Sequence, residues 1–114
     1  MSRLRNLSPR AAADLDQAVE WRLDHGLTPG SAEQLLRAVL AAAERLAERP
    51  LLGRQQPELA PPPFRFWSIP RWRLLLVYDP TSAPATIQRI VSTDQDLPPL
   101  LAELRGLAES NDPS

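Results

Sequence analysis

The chain has 114 residues, of which 43% are apolar and 24% are charged, and this composition fits one small globular domain. It contains no cysteine and a single histidine, which excludes a disulfide framework, a thiolate metal site and a cysteine nucleophile. The formal net charge is −1, so total charge does not favour nucleic-acid binding. No segment resembles a signal peptide or a membrane span, so we expect a soluble cytoplasmic protein with no cofactor, no metal and no membrane partner.

The charged residues are unevenly distributed along the chain. All thirteen basic residues are arginine. Residues 50–90 contain five arginines and two acidic side chains, whereas residues 91–114 contain one arginine and five acidic side chains. Genome composition explains the exclusive use of arginine at least as well as function does. The basic middle and the acidic C-terminal region are therefore more informative than the absence of lysine.

The first predicted elements are a short strand and a helix. Residues 3–7 alternate polar and apolar side chains, which predicts an edge strand. Ser8-Pro9 is a helix start signal, because serine accepts orphan backbone N–H groups and proline loses no hydrogen bond at the first helical position. Gly26 is a natural stop. The apolar stripe of this helix comprises Ala11, Leu15, Ala18, Val19 and Leu23.

A second helix is predicted from the start signal Thr28-Pro29-Gly30-Ser31. Ser31 and Gln34 have the spacing of a capping box before a long apolar run. Pro50 ends the helix. The two helices therefore form a helical hairpin.

A loop and three strands follow. Residues 51–63 are rich in proline and glycine, which predicts an extended loop without sheet hydrogen bonds. The predicted strands form a meander and cover residues 64–69, 72–78 and 86–91. Pro70-Arg71 supplies the first turn and residues 79–84 the second.

The middle strand is apolar on both faces, and this predicts a sheet that is covered on both sides. The helical hairpin covers one face. The other needs a short C-terminal helix or a partner protein. An apolar stripe at helical spacing predicts that helix, and it comprises Leu97, Leu100, Leu101, Leu104 and Leu107. We expect a single domain over residues 1–109 and a frayed tail over residues 110–114.

The order of these elements and several short motifs resemble the ParE branch of the ParE/RelE toxin superfamily. The motifs are Leu7-Ser8-Pro9 with Ala12 and Asp14-Leu15, Leu46 with Pro50 and Gly53-Arg54, Phe64-Arg65, Trp72–Tyr78, and the segment RIVSTDQDLPPLL at Arg89–Leu101. The resemblance extends over nearly the whole chain, from about Leu7 to Leu104. It implies an α+β fold with an N-terminal strand, a helical hairpin packed on a small, mostly antiparallel sheet, and a short C-terminal helix.

The resemblance also implies a function. ParE-like toxins of type II toxin–antitoxin modules stabilise plasmids and arrest growth by binding DNA gyrase and blocking its action, without turning over a substrate. A small ParD-like antitoxin neutralises the toxin by folding its C-terminal segment onto it. We therefore expect two partners, a cognate antitoxin and DNA gyrase. We expect no catalytic residue and no direct nucleic-acid binding by the toxin alone.

Two departures from the family pattern keep alternatives open. ParE-like chains often carry a histidine and an Arg-Asp pair just after the last strand, where this chain has Ser92 and Gln95-Asp96. One alternative is a RelE-like ribosome-dependent mRNA endoribonuclease, for which Arg65 and Arg73 are the candidate catalytic groups, although lysine and a terminal-helix tyrosine are missing. The other is a decayed toxin that only binds its antitoxin.

The predicted partner-binding surface lies on the central strands and their turn. It comprises Arg65, Trp67, Arg71, Trp72, Arg73 and Leu75. Arginine and aromatic residues are the usual anchors of protein interfaces. A structural interpretation competes with this one, in which the arginines pair with Glu58, Asp79 or backbone carbonyls at a sheet edge.

Other conspicuous residues are interpreted as structural. We expect Trp21, Trp67 and Trp72 to lie in the core or at its margin. His25 is interpreted as a helix C-terminal cap. The acidic residues of the first helix are interpreted as a solvated face, and they are Asp14, Asp16 and Glu20.

Overall fold

The computed structural model describes residues 6–93. Its elements in chain order are α1 (Pro9–Asp24), α2 (Pro29–Glu48), β1 (Arg65–Ile69), β2 (Leu74–Asp79) and β3 (Thr86–Ser92). The predicted α+β fold, a helical hairpin on a small antiparallel sheet, is confirmed within this range. The predicted C-terminal helix, the tail and most of the predicted N-terminal strand lie outside the described residues.

The boundaries of α1 follow from local chemistry. The Ser8 side chain accepts a hydrogen bond from the Ala11 N–H at 3.0 Å, and Pro9 occupies the first helical turn. His25 is the C-cap, and Gly26 follows it with a φ of 103°, the left-handed conformation that glycine adopts readily. The predicted start, stop and histidine cap are confirmed. Leu23, in contrast, is 40% exposed and does not extend the buried stripe.

The start of α2 differs from the predicted capping box. Thr28 is the N-cap, and its hydroxyl accepts a hydrogen bond from the Ser31 N–H at 3.2 Å. Pro29 already occupies the first helical turn, so the cap must precede it and Ser31 lies inside the helix. The predicted end is correct, because α2 stops at Glu48, two residues before Pro50.

Within residues 6–93, the strands form an antiparallel sheet in the order β1-β2-β3. The middle strand starts two residues later than predicted. Pro70–Trp72 form a 3₁₀ turn, and Arg73 adopts a left-handed conformation with a φ of 53°. This conformation reverses the chain between β1 and β2, so Trp72 and Arg73 belong to the turn. Leu7 adds a single parallel bridge to Ile87 of β3, the described part of the predicted N-terminal strand.

The two faces of the sheet pack against different parts of the chain. The face toward the helices forms the main core, with Leu74, Leu76 and Tyr78 of β2 fully buried. The opposite face forms a smaller cluster of Ala60, Phe64, Phe66, Val77 and Val91, with Leu59 and Leu75 packed against it. The loop before β1 therefore covers part of the sheet face for which the sequence predicted a C-terminal helix or a partner protein. No helix within the described range is long and apolar enough to cross a membrane.

Asp14 joins α1 to β3 and does not lie on a solvated face as predicted. Its carboxylate accepts hydrogen bonds from Arg89 Nε at 2.7 Å, Arg89 Nη2 at 3.1 Å and the Ile90 N–H at 3.0 Å. The Asp14 side chain is only 12% exposed. A bidentate arginine and a backbone donor compensate the desolvation of this charge. Asp16 and Glu20 are exposed, as predicted.

Candidate functional site

A groove runs along the outer edge of β1. We call it the edge groove; its side chains include Leu52, Arg54, Gln56, Trp67, Ser68 and Leu75, and its volume is about 300 Å³. At this edge the Phe66 N–H donates to the Arg54 carbonyl at 2.8 Å, and the Arg54 N–H donates to the Phe66 carbonyl at 2.9 Å. The loop of residues 51–63 thus pairs with the sheet once, contrary to the prediction that it lacks sheet hydrogen bonds.

Beyond this bridge the backbone of β1 is open. Strand alternation directs the N–H and carbonyl of Ser68 to the same side as those of Phe66. Among residues 6–93 these two Ser68 groups have no backbone partner. The Ser68 side chain is exposed, and its cross-strand neighbour Leu75 is half-buried. The edge groove therefore combines an apolar wall with a free donor and acceptor.

A buried polar network fastens the loop beside the edge groove. The Gly53 N–H donates to the Tyr78 hydroxyl at 2.8 Å, and that hydroxyl donates to the Pro50 carbonyl at 2.6 Å. Arg65 Nη1 donates to the Gly53 carbonyl at 2.8 Å and to the Leu51 carbonyl at 3.4 Å. The structural interpretation of Arg65 is thus correct as far as backbone carbonyls are concerned.

Burial raises the pKa of the Tyr78 hydroxyl above its ordinary value of 10.0, while the Gly53 hydrogen bond and the Arg65 charge act in the opposite direction. The side chain of Tyr78 has no exposed surface. A β-carbon at Gly53 would lie 2.6 Å from the Tyr78 oxygen and 2.8 Å from the Phe66 carbonyl oxygen. Only glycine fits this close approach.

A second concave surface lies where the end of α1 meets the β1–β2 turn. We call it the arginine–tryptophan cleft; its side chains include Trp21, Arg22, His25, Arg71, Trp72 and Arg73, and its volume is about 380 Å³. Arg71 lies over the Trp72 ring at 4.9 Å from the centroid. Arg22 Nη2 donates to the Trp72 carbonyl at 2.6 Å and holds the turn against α1.

Five of the six residues of the predicted partner-binding surface fall into these two places. Trp67 and Leu75 line the edge groove. Arg71, Trp72 and Arg73 line the arginine–tryptophan cleft. Arg65 lines neither surface and binds the loop carbonyls beside the groove.

Sequence reasoning missed the contribution of α1 to the second surface. Trp21 is 57% exposed, although it was expected in the core or at its margin. Trp67 and Trp72 are half-buried, as expected. Trp21 falls outside the helical periodicity of Ala11 and Leu15, and this offset is the sequence signal that could have placed it outside the core.

The comparison with known families identifies the chain. A family model described as the ParE toxin of the type II toxin–antitoxin system, parDE, matches residues 6–97. The chain belongs to this ParE toxin family. A search of curated protein sequences found no match. Membership in the ParE family confirms the resemblance and implies an antitoxin partner.

The matched range contains both surfaces of this ParE-family protein. The edge groove and the arginine–tryptophan cleft are built entirely from residues within 6–97.

Proposed function

We propose that this ParE-family toxin arrests growth in the cytoplasm by binding DNA gyrase and blocking topoisomerase action, and that its cognate antitoxin neutralises it. The family match over residues 6–97 is the observation that carries the proposal. ParE-like modules of this type stabilise plasmids. The proposal assigns the chain a binding role and no catalytic one.

The contacts of Arg65 support binding over catalysis. A ribonuclease needs cationic groups that neutralise a phosphate in the transition state. Arg65 instead donates to the carbonyls of Gly53 and Leu51, so it serves the fold. Its Nε is buried without a hydrogen-bond partner among the described residues, so this donor is not presented to a substrate.

The antitoxin segment is proposed to dock in the edge groove. Trp67 and Leu75 offer apolar area, and the Ser68 backbone offers a donor and an acceptor to an extended chain. A disordered segment loses conformational entropy when it orders on binding, and a surface that supplies both apolar area and backbone hydrogen-bond partners offsets this cost best. The partner-binding role predicted for Trp67 and Leu75 is kept in this proposal, and Arg65 acts by positioning the loop.

A substitution at Ser68 tests the docking site. Ser68→Trp places a bulky side chain in the groove from an exposed strand position, where aromatic residues are favoured. Antitoxin affinity, measured by calorimetry, should fall at least tenfold, while Ser68→Thr should bind as the original chain does. Unchanged affinity of the tryptophan variant would place the antitoxin elsewhere.

The target is tested with the purified chain in two reactions. A gyrase supercoiling assay and a ribosome-dependent mRNA cleavage assay are run on the same preparation. Loss of supercoiling with intact mRNA supports the gyrase proposal. Cleaved mRNA with normal supercoiling would indicate the RelE-like ribonuclease, and silence in both would indicate a decayed toxin or another target.

A further inference from the structure

The exposed indole of Trp21 forms a fixed aromatic platform in the arginine–tryptophan cleft. His25 stacks on it with ring centroids 4.0 Å apart and an interplanar angle of 16°. The carbonyl of Trp21 can only accept, so His25 Nδ1 donates to it, at 2.6 Å. The hydrogen bond holds His25 on one side of the indole, and more than half of Trp21 remains in solvent.

The opposite wall of the cleft carries arginines. Arg71 stacks on Trp72 and donates Nη2 to the neutral side chain of Gln34 at 3.0 Å. Arg73 is exposed at the turn, where its left-handed backbone places it at the surface. Among the described residues that line the cleft there is no aspartate or glutamate. The lining is therefore positively charged.

A hydrogen bond from Arg22 holds the β1–β2 turn, which carries the arginines, against α1, which carries Trp21. Arg22 donates to the carbonyl of Trp72 and, at 3.2 Å, to that of Ala18. The bond to Trp72 ties the last turn of α1 to the β1–β2 turn, and the bond to Ala18 fixes the arginine side chain along its own helix. A ligand that spans the two walls would not have to order them first.

We propose that the arginine–tryptophan cleft binds a nucleotide unit, with the base stacked on Trp21 and the phosphate held by Arg71 and Arg73. Aromatic platforms beside arginines are the general means of binding unpaired bases, because every base has a π-face and every phosphate a charge. The volume of about 380 Å³ is in the range of small-ligand sites. An acidic protein segment would supply negative charge to the arginines but no planar ring to stack on Trp21.

This proposal goes beyond the toxin assignment and does not depend on it. It also differs from the expectation that the chain alone binds no nucleic acid. That expectation rested on the family resemblance and on a net charge of −1, which averages the arginines of the turn with acidic residues elsewhere in the chain. Local charge governs a site of this size.

The test uses the full chain and a fluorescently labelled eight-nucleotide single strand, as DNA and as RNA, with binding followed by anisotropy. Trp21→Ala should weaken binding roughly tenfold or more, since stacking contributes that much per base. Arg73→Asn keeps a residue that tolerates the left-handed backbone and removes the charge. It should weaken binding and lower the dependence of log affinity on log salt by about 0.7.

Arg54→Ala is the matched control, because it removes one exposed arginine from the edge groove. Competition by ATP would identify a free nucleotide as the ligand, and competition by unlabelled oligonucleotide alone would identify a single strand. Either result supports the proposal. No binding of either probe, equal loss in Arg54→Ala and Arg73→Asn, unchanged affinity of Trp21→Ala, or equal displacement by a polyglutamate peptide would overturn it.

Discussion

The polar groups at the two ends of β2 have opposite environments: buried at one end and exposed to solvent at the other. At the Tyr78 end, the Gly53 N–H donates to the Tyr78 hydroxyl, which donates to the Pro50 carbonyl. The Gly53 carbonyl accepts from Arg65. At the other end, the turn that precedes Leu74 presents Arg71 and Arg73 to solvent. Polar groups at the first end are buried within the fold, whereas the two guanidinium groups at the second lie at the surface and line the arginine–tryptophan cleft. Arg89, which is paired with Asp14, is likewise a largely buried polar group that bonds within the fold.

The largest expected effect is at the buried ion pair. Asp14→Ala leaves Arg89 without its carboxylate partner and the Ile90 N–H without its acceptor. The free energy of unfolding should fall by ~3 kcal/mol or more, measured by urea denaturation. Asp16→Ala, on the exposed face of the same helix, should change it by less than about 0.5 kcal/mol. Similar values for both variants would contradict the assigned role of Asp14.

The next effect is steric and lies at the Tyr78 end. Gly53→Ala brings a methyl group against the Tyr78 hydroxyl and the Phe66 carbonyl. Because one of these is backbone, the Arg54 bridge must shift, and stability should fall by about 2 kcal/mol. Gly30→Ala is the control, since nothing lies within 4 Å of a β-carbon there. A Gly53→Ala chain as stable as Gly30→Ala would show that the close approach is absent.

A smaller effect follows from the Tyr78 hydroxyl and depends on pH. Tyr78→Phe leaves the Gly53 N–H without its acceptor, which should cost about 1–2 kcal/mol at neutral pH. The folded-state pKa is raised above 10.0, so the unfolded chain loses this proton first as pH rises. Stability from this group is therefore complete below about pH 10 and declines above it.

The composition makes this titration unusually clean. The chain has one tyrosine, no lysine and no cysteine, and arginine stays protonated in this range. Tyrosinate absorbance should report the raised pKa directly, and the decline in stability should be absent from Tyr78→Phe. A midpoint at or below 10.0 in the folded chain would contradict the burial of the hydroxyl.

The smallest effect is expected at the open end. Arg73→Gly removes a charge and relieves a left-handed non-glycine backbone. The melting temperature should stay the same or rise slightly. The corresponding gain in the free energy of unfolding should be less than about 1 kcal/mol. A large loss would mean that the turn, like the Tyr78 end, depends on its polar side chain.

Local signals predicted more of the fold than of the candidate surfaces. The Ser8 cap, the Gly26 stop and the two-faced β2 were predictable because each depends on neighbours in the sequence. Asp14 was misread because its partner Arg89 is 75 residues away. The capping box predicted at Ser31 is wrong because Thr28, directly before Pro29, is also a favoured N-cap residue and starts the helix earlier.

The surfaces were predicted as one because the strand pattern cannot show where a turn begins. Trp72 and Arg73 directly precede the apolar residues of β2 in sequence. In the structure they belong to the turn before β2, because Arg73 has a left-handed backbone, and they therefore lie in the arginine–tryptophan cleft. Trp21 joins them only through the packing of α1. The edge groove, in contrast, follows from strand alternation at Trp67 and the pairing of Ser68 with Leu75.

The most direct test of the toxin assignment is a gyrase supercoiling reaction inhibited by the purified chain and titrated with its antitoxin. We expect the original chain to inhibit supercoiling and the antitoxin to restore it. Ser68→Trp should inhibit equally but resist restoration, because only the edge groove is blocked. Undisturbed supercoiling would contradict gyrase as the target, and full restoration of the Ser68→Trp reaction would contradict the edge groove as the antitoxin site.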